Sequence, residues 1–353
     1  MPEVSDVHRP SDRSHAGRGR AASLVIVGAL HVDELTWPIG PLVPNASNPV
    51  RRERRIGGVG ANVARAATMA VARSAALAAT ANTAPVAARV DARASRSAVH
   101  GRDVVMIAAL GDDADATWLV ASLVADGVDV RRHTVDGRAS GRYTVVHDER
   151  GELFVGLADT TVAETLDAAA VRARLAGTEA AALVLDANLD AACLSALLAR
   201  TDTADDAPRV ALAVSPAKAM RLGPFLSAVD LLFCNRREAA ALGGLDTRAP
   251  IAALGDALLA LGSTRFVLSD GADAVLVHTP ESRTLVPVPP LDVGRSVNGA
   301  GDALAGATLV RWLDDGDLAA AVREAGLPAA AGVLGDTSRA ELTSIPDTPE
   351  TPR

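Results

Sequence analysis

Short apolar runs alternate with longer segments of helical periodicity over most of the 353 residues. Ser23 to Leu30 reads as a buried strand, and Val63 to about Leu77 as a helix. Val104 to Leu110 reads as the next strand, Ala116 to Asp126 as a helix, and Val128 to His133 as a strand. Arg142 to His147 and Glu152 to Gly156 flank Asp148-Glu149-Arg150-Gly151 and predict a hairpin. Beyond it, strands at Ala182 to Leu185, Val210 to Val214, Leu231 to Cys234, Arg265 to Leu268 and Ala274 to Val277 are interleaved with helices at Leu189 to Ala199 and from Glu238. A last helix runs from Ala303 to Leu313. This rhythm predicts an α/β fold with a mostly parallel sheet and helices on both faces.

Other stretches break the rhythm. Residues 1 to 22 are polar and rich in Arg, Ser and Pro, and predict a disordered tail. Trp37 to Pro49 is full of Pro and Asn and leads into Arg51-Arg52-Glu53-Arg54-Arg55, which suits a lid with short edge strands and a solvated basic face. Segments near residues 50 and 150 are expected to share one small sheet, with lid segments at about 33–57 and 140–158. The Ala/Arg-rich stretch 80–102 reads as an inserted loop, and residues 341–353 as a tail, leaving 23–340 as the folded unit.

Apolar residues make up 49% of the chain and aromatics only 2%, so the core is built from Ala, Val and Leu. A net charge of −8 argues against a nucleic-acid-binding face. Cys193 and Cys234 lie in apolar surroundings and lack zinc-type spacing, and no apolar run reaches membrane-helix length. The cytoplasm is the expected compartment.

Two glycine-rich segments carry the candidate chemistry. Gly299-Ala300-Gly301-Asp302 opens the last helix, where unpaired amides favour an anion and a carboxylate beside them can take a proton from a hydroxyl. A capped Gly-rich turn explains the same residues without chemistry. Gly57-Gly58-Val59-Gly60-Ala61-Asn62 lacks the glycine spacing and following acid of a dinucleotide fingerprint, which disfavours a dehydrogenase. It suits bare backbone packed against a sugar, or a glycine hinge capped by Asn62. Asp33, just beyond the first strand, sits where such folds place ligands.

Read together, the two motifs resemble the paired signatures of the ribokinase-like (PfkB) carbohydrate kinases. Asn235-Arg236-Arg237-Glu238 is similar to that family's Asn-x-x-Glu, and Val267-Leu268-Ser269-Asp270-Gly271 to its nucleotide turn. Ser47-Asn48-Pro49, Ala158-Asp159, Asp186-Ala187-Asn188 and Val214-Ser215-Pro216 look most like the pseudouridine kinases within it. The resemblance implies a ribokinase-like fold with a small β-sheet lid and ATP-dependent phosphorylation of a ribosyl 5′-hydroxyl. Pseudouridine is the implied substrate; adenosine, another nucleoside, free ribose, or a binding protein without catalysis are the alternatives. It implies Asp302 as general base and Gly299, Ala300 and Gly301 as anion hole. Asp33, Gly58, Asn62 and Asn188 would bind the ribosyl group, with Asn48 and Asp159 at the base edge. Asn235, Ser269 and Gly271 would serve ATP, and Glu238 would hold Mg²⁺ through water. Lid strands are the implied route to a homodimer. Departures from the pattern are His31 for the usual Asn, Ala274 for a Gly, Asn298 for a Thr, and Ser296 for an Asp that helps hold a monovalent cation, which leaves K⁺ open.

Overall fold

The computed structural model describes residues 22–82, 102–199, 206–290 and 299–334. The strands are β1 (Ser23–Val27), β2 (His31–Pro38), β3 (Val50–Gly57), β4 (Val104–Gly111), β5 (Asp129–Val135), β6 (Arg142–His147), β7 (Leu153–Asp159), β8 (Ala180–Asp186), β9 (Arg209–Leu212), β10 (Leu231–Asn235), β11 (Phe266–Ser269), β12 (Val275–Thr279) and β13 (Ser282–Val286). The α-helices are α1 (Val59–Asn82), α2 (Ala114–Ala125), α3 (Ala168–Leu175), α4 (Ala191–Leu198), α5 (Pro216–Ala219), α6 (Arg236–Gly243), α7 (Ile251–Ala260), α8 (Ala300–Asp315), α9 (Leu318–Ala321) and α10 (Leu327–Leu334).

A nine-stranded sheet has the order β13-β12-β11-β10-β9-β8-β1-β4-β5, and a separate four-stranded sheet the order β3-β2-β6-β7. Strands β5 to β11 of the large sheet pair in parallel, and β12 and β13 close its edge antiparallel. Every residue of β1 and β4 is buried, as continuous apolar strands require when helices cover both faces. Two apolar layers result: Leu24, Ile26 and Met106 face α1 and α8, while Val25, Val27 and Ile107 face the other side.

The small sheet corrects the expected chain trace. The strand begun at Ser23 stops at Val27, and His31–Pro38 forms a second strand whose burial alternates strictly. That alternation is the period of a strand with one face covered. Residues near 50 and 150 do share this sheet, but β3 pairs with β2, and β2 with β6. The hairpin of β6 and β7 forms as expected. The basic cluster on β3 is largely paired: Arg52 with Glu34, Arg54 with Asp115 of α2, Arg55 with Glu53, and Arg51 stacks over Trp37.

Helix α1 starts at Val59, four residues earlier than its apolar pattern indicates, because Asn62 N–H already donates to Gly58 C=O. It runs to Asn82, so residues 80–82 of the expected loop are helical; residues 83–101 lie outside the described residues, as do both expected tails except residue 22. Gly306 lets α8 lie close against α1, since a Cβ there would stand 2.6 Å from Val63 C=O and 2.8 Å from the Ala66 methyl. Replacing Gly306 with Val is therefore expected to destabilise the fold by about 1–3 kcal/mol through overpacking. Thermal melting would read the loss, and a melting temperature equal to the parent's would contradict it.

Candidate active site

The close packing of α1 and α8 brings the two glycine motifs together. Gly299 caps α8 in the left-handed region, φ 84°, and Asp302 lies in the first turn. The first N–H groups of that turn have no carbonyl behind them within the helix and form an anion-binding end. Asn62, in the first turn of α1, donates from Nδ2 to Asp302 Oδ2 at 2.8 Å. Burial raises the Asp302 pKa from an ordinary carboxylate value to about 7; the Asn62 hydrogen bond pulls the other way, and the carboxylates of Asp186, Glu238 and Asp33 push it further up. A carboxylate that titrates near neutrality suits proton transfer.

Gly58 turns the chain into α1 with φ 101°, and a Cβ there would lie 2.2 Å from Ala29 C=O. A side chain at Gly57 would collide with the Asp33 carboxylate, which fills that space. Asp33 Oδ1 is buried and accepts no hydrogen bond, although His31 Nε2 stands 3.1 Å away out of line. A buried acceptor left unmatched beside bare glycine backbone is a fitting partner for a hydroxyl.

Asp186 was named in the sequence only as part of a motif; in the structure it anchors the site. Fully buried at the end of β8, it accepts from Ala29 N–H at 2.8 Å and Gly60 N–H at 3.0 Å through Oδ2, and from Asn188 N–H at 2.9 Å through Oδ1. Burial raises its pKa against the pull of those hydrogen bonds. One side chain thus ties the ends of β1 and β8 to the start of α1. Its partners lie up to 157 residues away, so no local pattern marks it.

Asn235 and Glu238 form a complete capping box on α6. Asn235 Oδ1 accepts from Arg237 N–H and Glu238 N–H, while Glu238 accepts from Asn235 N–H and Asn235 Nδ2, both at 2.8 Å. Glu238 is buried, which raises its pKa. Arg236 grips both carboxylate oxygens of Asp270, so the start of α6 is fastened to the turn that carries Ser269 and Gly271. Gly271 adopts φ 61° there.

Two lid residues are placed differently from expectation. Asn48 spends its amide on its own loop, accepting from Val43 N–H and donating to Val43 C=O and Ala46 C=O. Asp159 is in register with Arg142, which is in register with Val32, so it shares a sheet face with Val32 rather than with Asp33. On that side a cleft of about 480 Å³ is lined by Asp113, Asp115, Arg142, Leu157 and Asp159. Neither side chain is therefore directed at the Asp33 end of the site in this arrangement. Thr160, one residue on and not singled out in the sequence, has its Oγ1 3.4 Å from Lys218 Nζ. Ser296 and Asn298 lie outside the described residues.

Among the described residues no cluster of three His, Cys, Asp or Glu forms a ready metal cage. None of their helices is long and apolar enough to cross a membrane.

A nine-stranded, mostly parallel sheet packed with helices, joined to a separate four-stranded sheet where β3 leads into α1, defines the class of fold. The profile of the pfkB family carbohydrate kinases matches residues 32–341, and the chain belongs to that family. It is similar to an ATP-dependent ribose-1-phosphate kinase from Halopiger xanaduensis, 30% identical over 242 residues, covering 63% of this chain and 72% of the other. It is also similar to the pseudouridine kinase of Escherichia coli, 25% identical over 306 residues, covering 85% and 87%. Among solved structures, a carbohydrate kinase from Agrobacterium tumefaciens superposes with a TM-score of 0.68 at 27% identity, covering 88% and 90%. The fold is ribokinase-like, and the chain is an ATP-dependent carbohydrate or nucleoside kinase.

Proposed function

We propose that this kinase phosphorylates the 5′-hydroxyl of a ribosyl substrate, with pseudouridine as the leading candidate. The observation that carries the reading is the Asn62–Asp302 hydrogen bond at the first turn of α8, which sets a carboxylate of pKa about 7 beside unpaired helix amides. Asp302 takes the hydroxyl proton as the 5′-oxygen bonds to the γ-phosphorus and the bond to the β-phosphate bridging oxygen breaks, releasing ADP. Gly299, Ala300 and Gly301 hold the transferred group by backbone N–H. Asp33, Gly58, Asn62 and Asn188 hold the ribosyl hydroxyls and backbone, so the nucleophile is positioned rather than chemically activated at length. The lid sheet excludes water.

Asn235, Ser269 and Gly271 are assigned to the ATP phosphates. Mg²⁺ fits the electrostatics: the charges that act on Asp302 are the carboxylates of Asp186, Glu238 and Asp33, a concentration of negative charge that a divalent cation relieves. Both Glu238 oxygens already accept N–H groups, so Glu238 would hold the ion through water, and the ion would neutralise charge on the phosphates.

The 30% identity to a ribose-1-phosphate kinase supports that sugar phosphate as a second reading. ADP release measured with pseudouridine, ribose-1-phosphate, ribose and adenosine separates them. The highest kcat/KM is expected with pseudouridine, and faster turnover of adenosine or ribose would overturn that choice.

A homodimer through the lid belongs to the same proposal. Strand β7 is exposed along its whole length, ends the small sheet, and presents Leu153, Phe154 and Leu157 to solvent. Such an edge invites a second copy. Sedimentation should show a dimer, and Phe154→Glu should shift it to monomer; a monomeric parent protein at micromolar concentration would contradict this.

A further inference from the structure

The loop after β8 is held by two cations that do different things. Arg221 Nη1 donates to the carbonyls of Ala187, Asn188 and Leu189 at 3.2, 3.1 and 3.0 Å, and Nη2 pairs with Glu164 at 2.6 Å. That arrangement already fixes the loop backbone. Lys218, from α5, reaches side chains instead: Nζ donates to Asn188 Oδ1 and lies 3.4 Å from Thr160 Oγ1. An ammonium carries three N–H donors. Among the described residues two of them are engaged, and neither partner is a carboxylate. Desolvation lowers the Lys218 pKa, with Arg221 adding to the effect and Asp186 and Glu164 opposing it.

The backbone upstream is bent to deliver this lysine. Val214 has φ 70°, a conformation a β-branched residue adopts only under strain, and Ser215 N–H donates back to Ala213 C=O at 2.8 Å. The tight turn takes the chain out of β9, and Ser215 then caps α5. Strain of this kind persists where the surroundings enforce a functional geometry.

Lys218 also lies at a definite end of the site. A Cβ built on Gly141 would stand 3.0 Å from His31 Cβ and 3.5 Å from Thr160 Cα, so Thr160 and the His31–Asp33 pair border the same space. Asp186 links the two ends of the site: its carboxylate accepts from Gly60 N–H, two residues before Asn62, and from Asn188 N–H, and its charge acts on both Asp302 and Lys218. On a ribosyl ring the 5′-hydroxyl and the C1 substituent project from opposite sides of the ring oxygen. A ribosyl ring with its 5′-hydroxyl at Asp302 would present its C1 substituent at its far end, the end for which Lys218, on Asn188 and Thr160, is the candidate donor.

We propose that Lys218 determines specificity for the substituent on ribosyl C1, donating its remaining N–H to an acceptor oxygen there, either a nucleobase carbonyl or a 1-phosphate oxygen. This rests on the ribosyl-kinase reading above. A charge-assisted hydrogen bond of this sort is worth about 10- to 100-fold in affinity.

The test compares the parent protein with Lys218→Met and Lys218→Gln on pseudouridine, ribose-1-phosphate and ribose, which lacks the substituent. The kcat/KM ratio of the better substituted substrate to ribose is expected to fall about tenfold or more in both variants, mainly through KM. A larger loss on pseudouridine identifies a carbonyl as the acceptor, and a larger loss on ribose-1-phosphate a phosphate oxygen; either supports the proposal. Ratios within twofold of the parent, with melting temperatures unchanged, would overturn it. So would loss of fold in both variants, which would make Lys218 structural. A parent protein that phosphorylates ribose but neither substituted substrate overturns this inference and leaves the ribosyl-kinase reading standing, whereas turnover of none of the three overturns both.

Discussion

Replacing Asp302 with Asn is expected to lower kcat by about 10²–10⁴-fold, the usual contribution of a positioned general base. Substrate affinity, measured by calorimetry, should stay within a few-fold of the parent, because the proposed hydroxyl partners Asp33 and Asn188 are unchanged. The amide occupies the same volume, and its oxygen can still accept from Asn62, so the variant should fold. Its stability carries a second signature. The folded-state pKa of Asp302 is raised to about 7, so the group favours folding in its neutral form. That contribution is fully present below the unfolded pKa and is lost as pH rises toward 7. Asp302→Asn does not titrate, so its melting temperature should gain on the parent between pH 5 and pH 8. A gap that is constant with pH would show that Asp302 is not held in a desolvated setting.

Replacing Asp186 with Ala should have the largest effect on stability. Three backbone N–H groups, from Ala29, Gly60 and Asn188, would lose a fully buried acceptor at once. An unsatisfied buried donor costs about 1–3 kcal/mol, and partial relaxation keeps the sum near 3–5 kcal/mol. The damage should reach activity as well, since Gly60 lies two residues before Asn62 in the first turn of α1 and Asn188 would lose its backbone anchor. Denaturant unfolding would show a lower midpoint at similar slope. A variant as stable as the parent would mean that water or rearranged backbone serves those donors, and that Asp186 does not organise the site.

Local signals carried much of this molecule. The apolar runs marked eight of the nine strands of the large sheet, and the glycine motifs marked both helix N-termini that meet at the site. Strand β2 is unmarked in the sequence because only its burial alternates: the covered face carries Val32, Glu34, Thr36 and Pro38, so apolar and polar residues do not alternate along it. Strand β13, with mostly exposed polar residues, and α3, with little apolar periodicity, lack the contrast that pattern reading needs. The candidate site was legible where a residue's position is set by its own helix start, as with Asn62, Asp302 and Asn235. It was illegible where an arrangement depends on distant packing. Asp186 gathers amides from three chain segments, and Lys218 depends on the bend at Val214 and on Asn188 and Thr160. Asn48 shows the converse: a polar residue in a promising motif is absorbed by its own loop.

The central claim is that Asp302 removes the proton from the acceptor hydroxyl, and the pH dependence of kcat/KM for the acceptor at saturating ATP–Mg²⁺ tests it most directly. Below its pKa the base is protonated and idle. The rate constant should therefore climb about tenfold per pH unit up to a break near 7 and level off above it, while Asp302→Asn should give a low profile without that break. A parent profile that stays flat from pH 5 to pH 8, or an Asp302→Asn variant that keeps the parent rate and its break, would contradict the assignment.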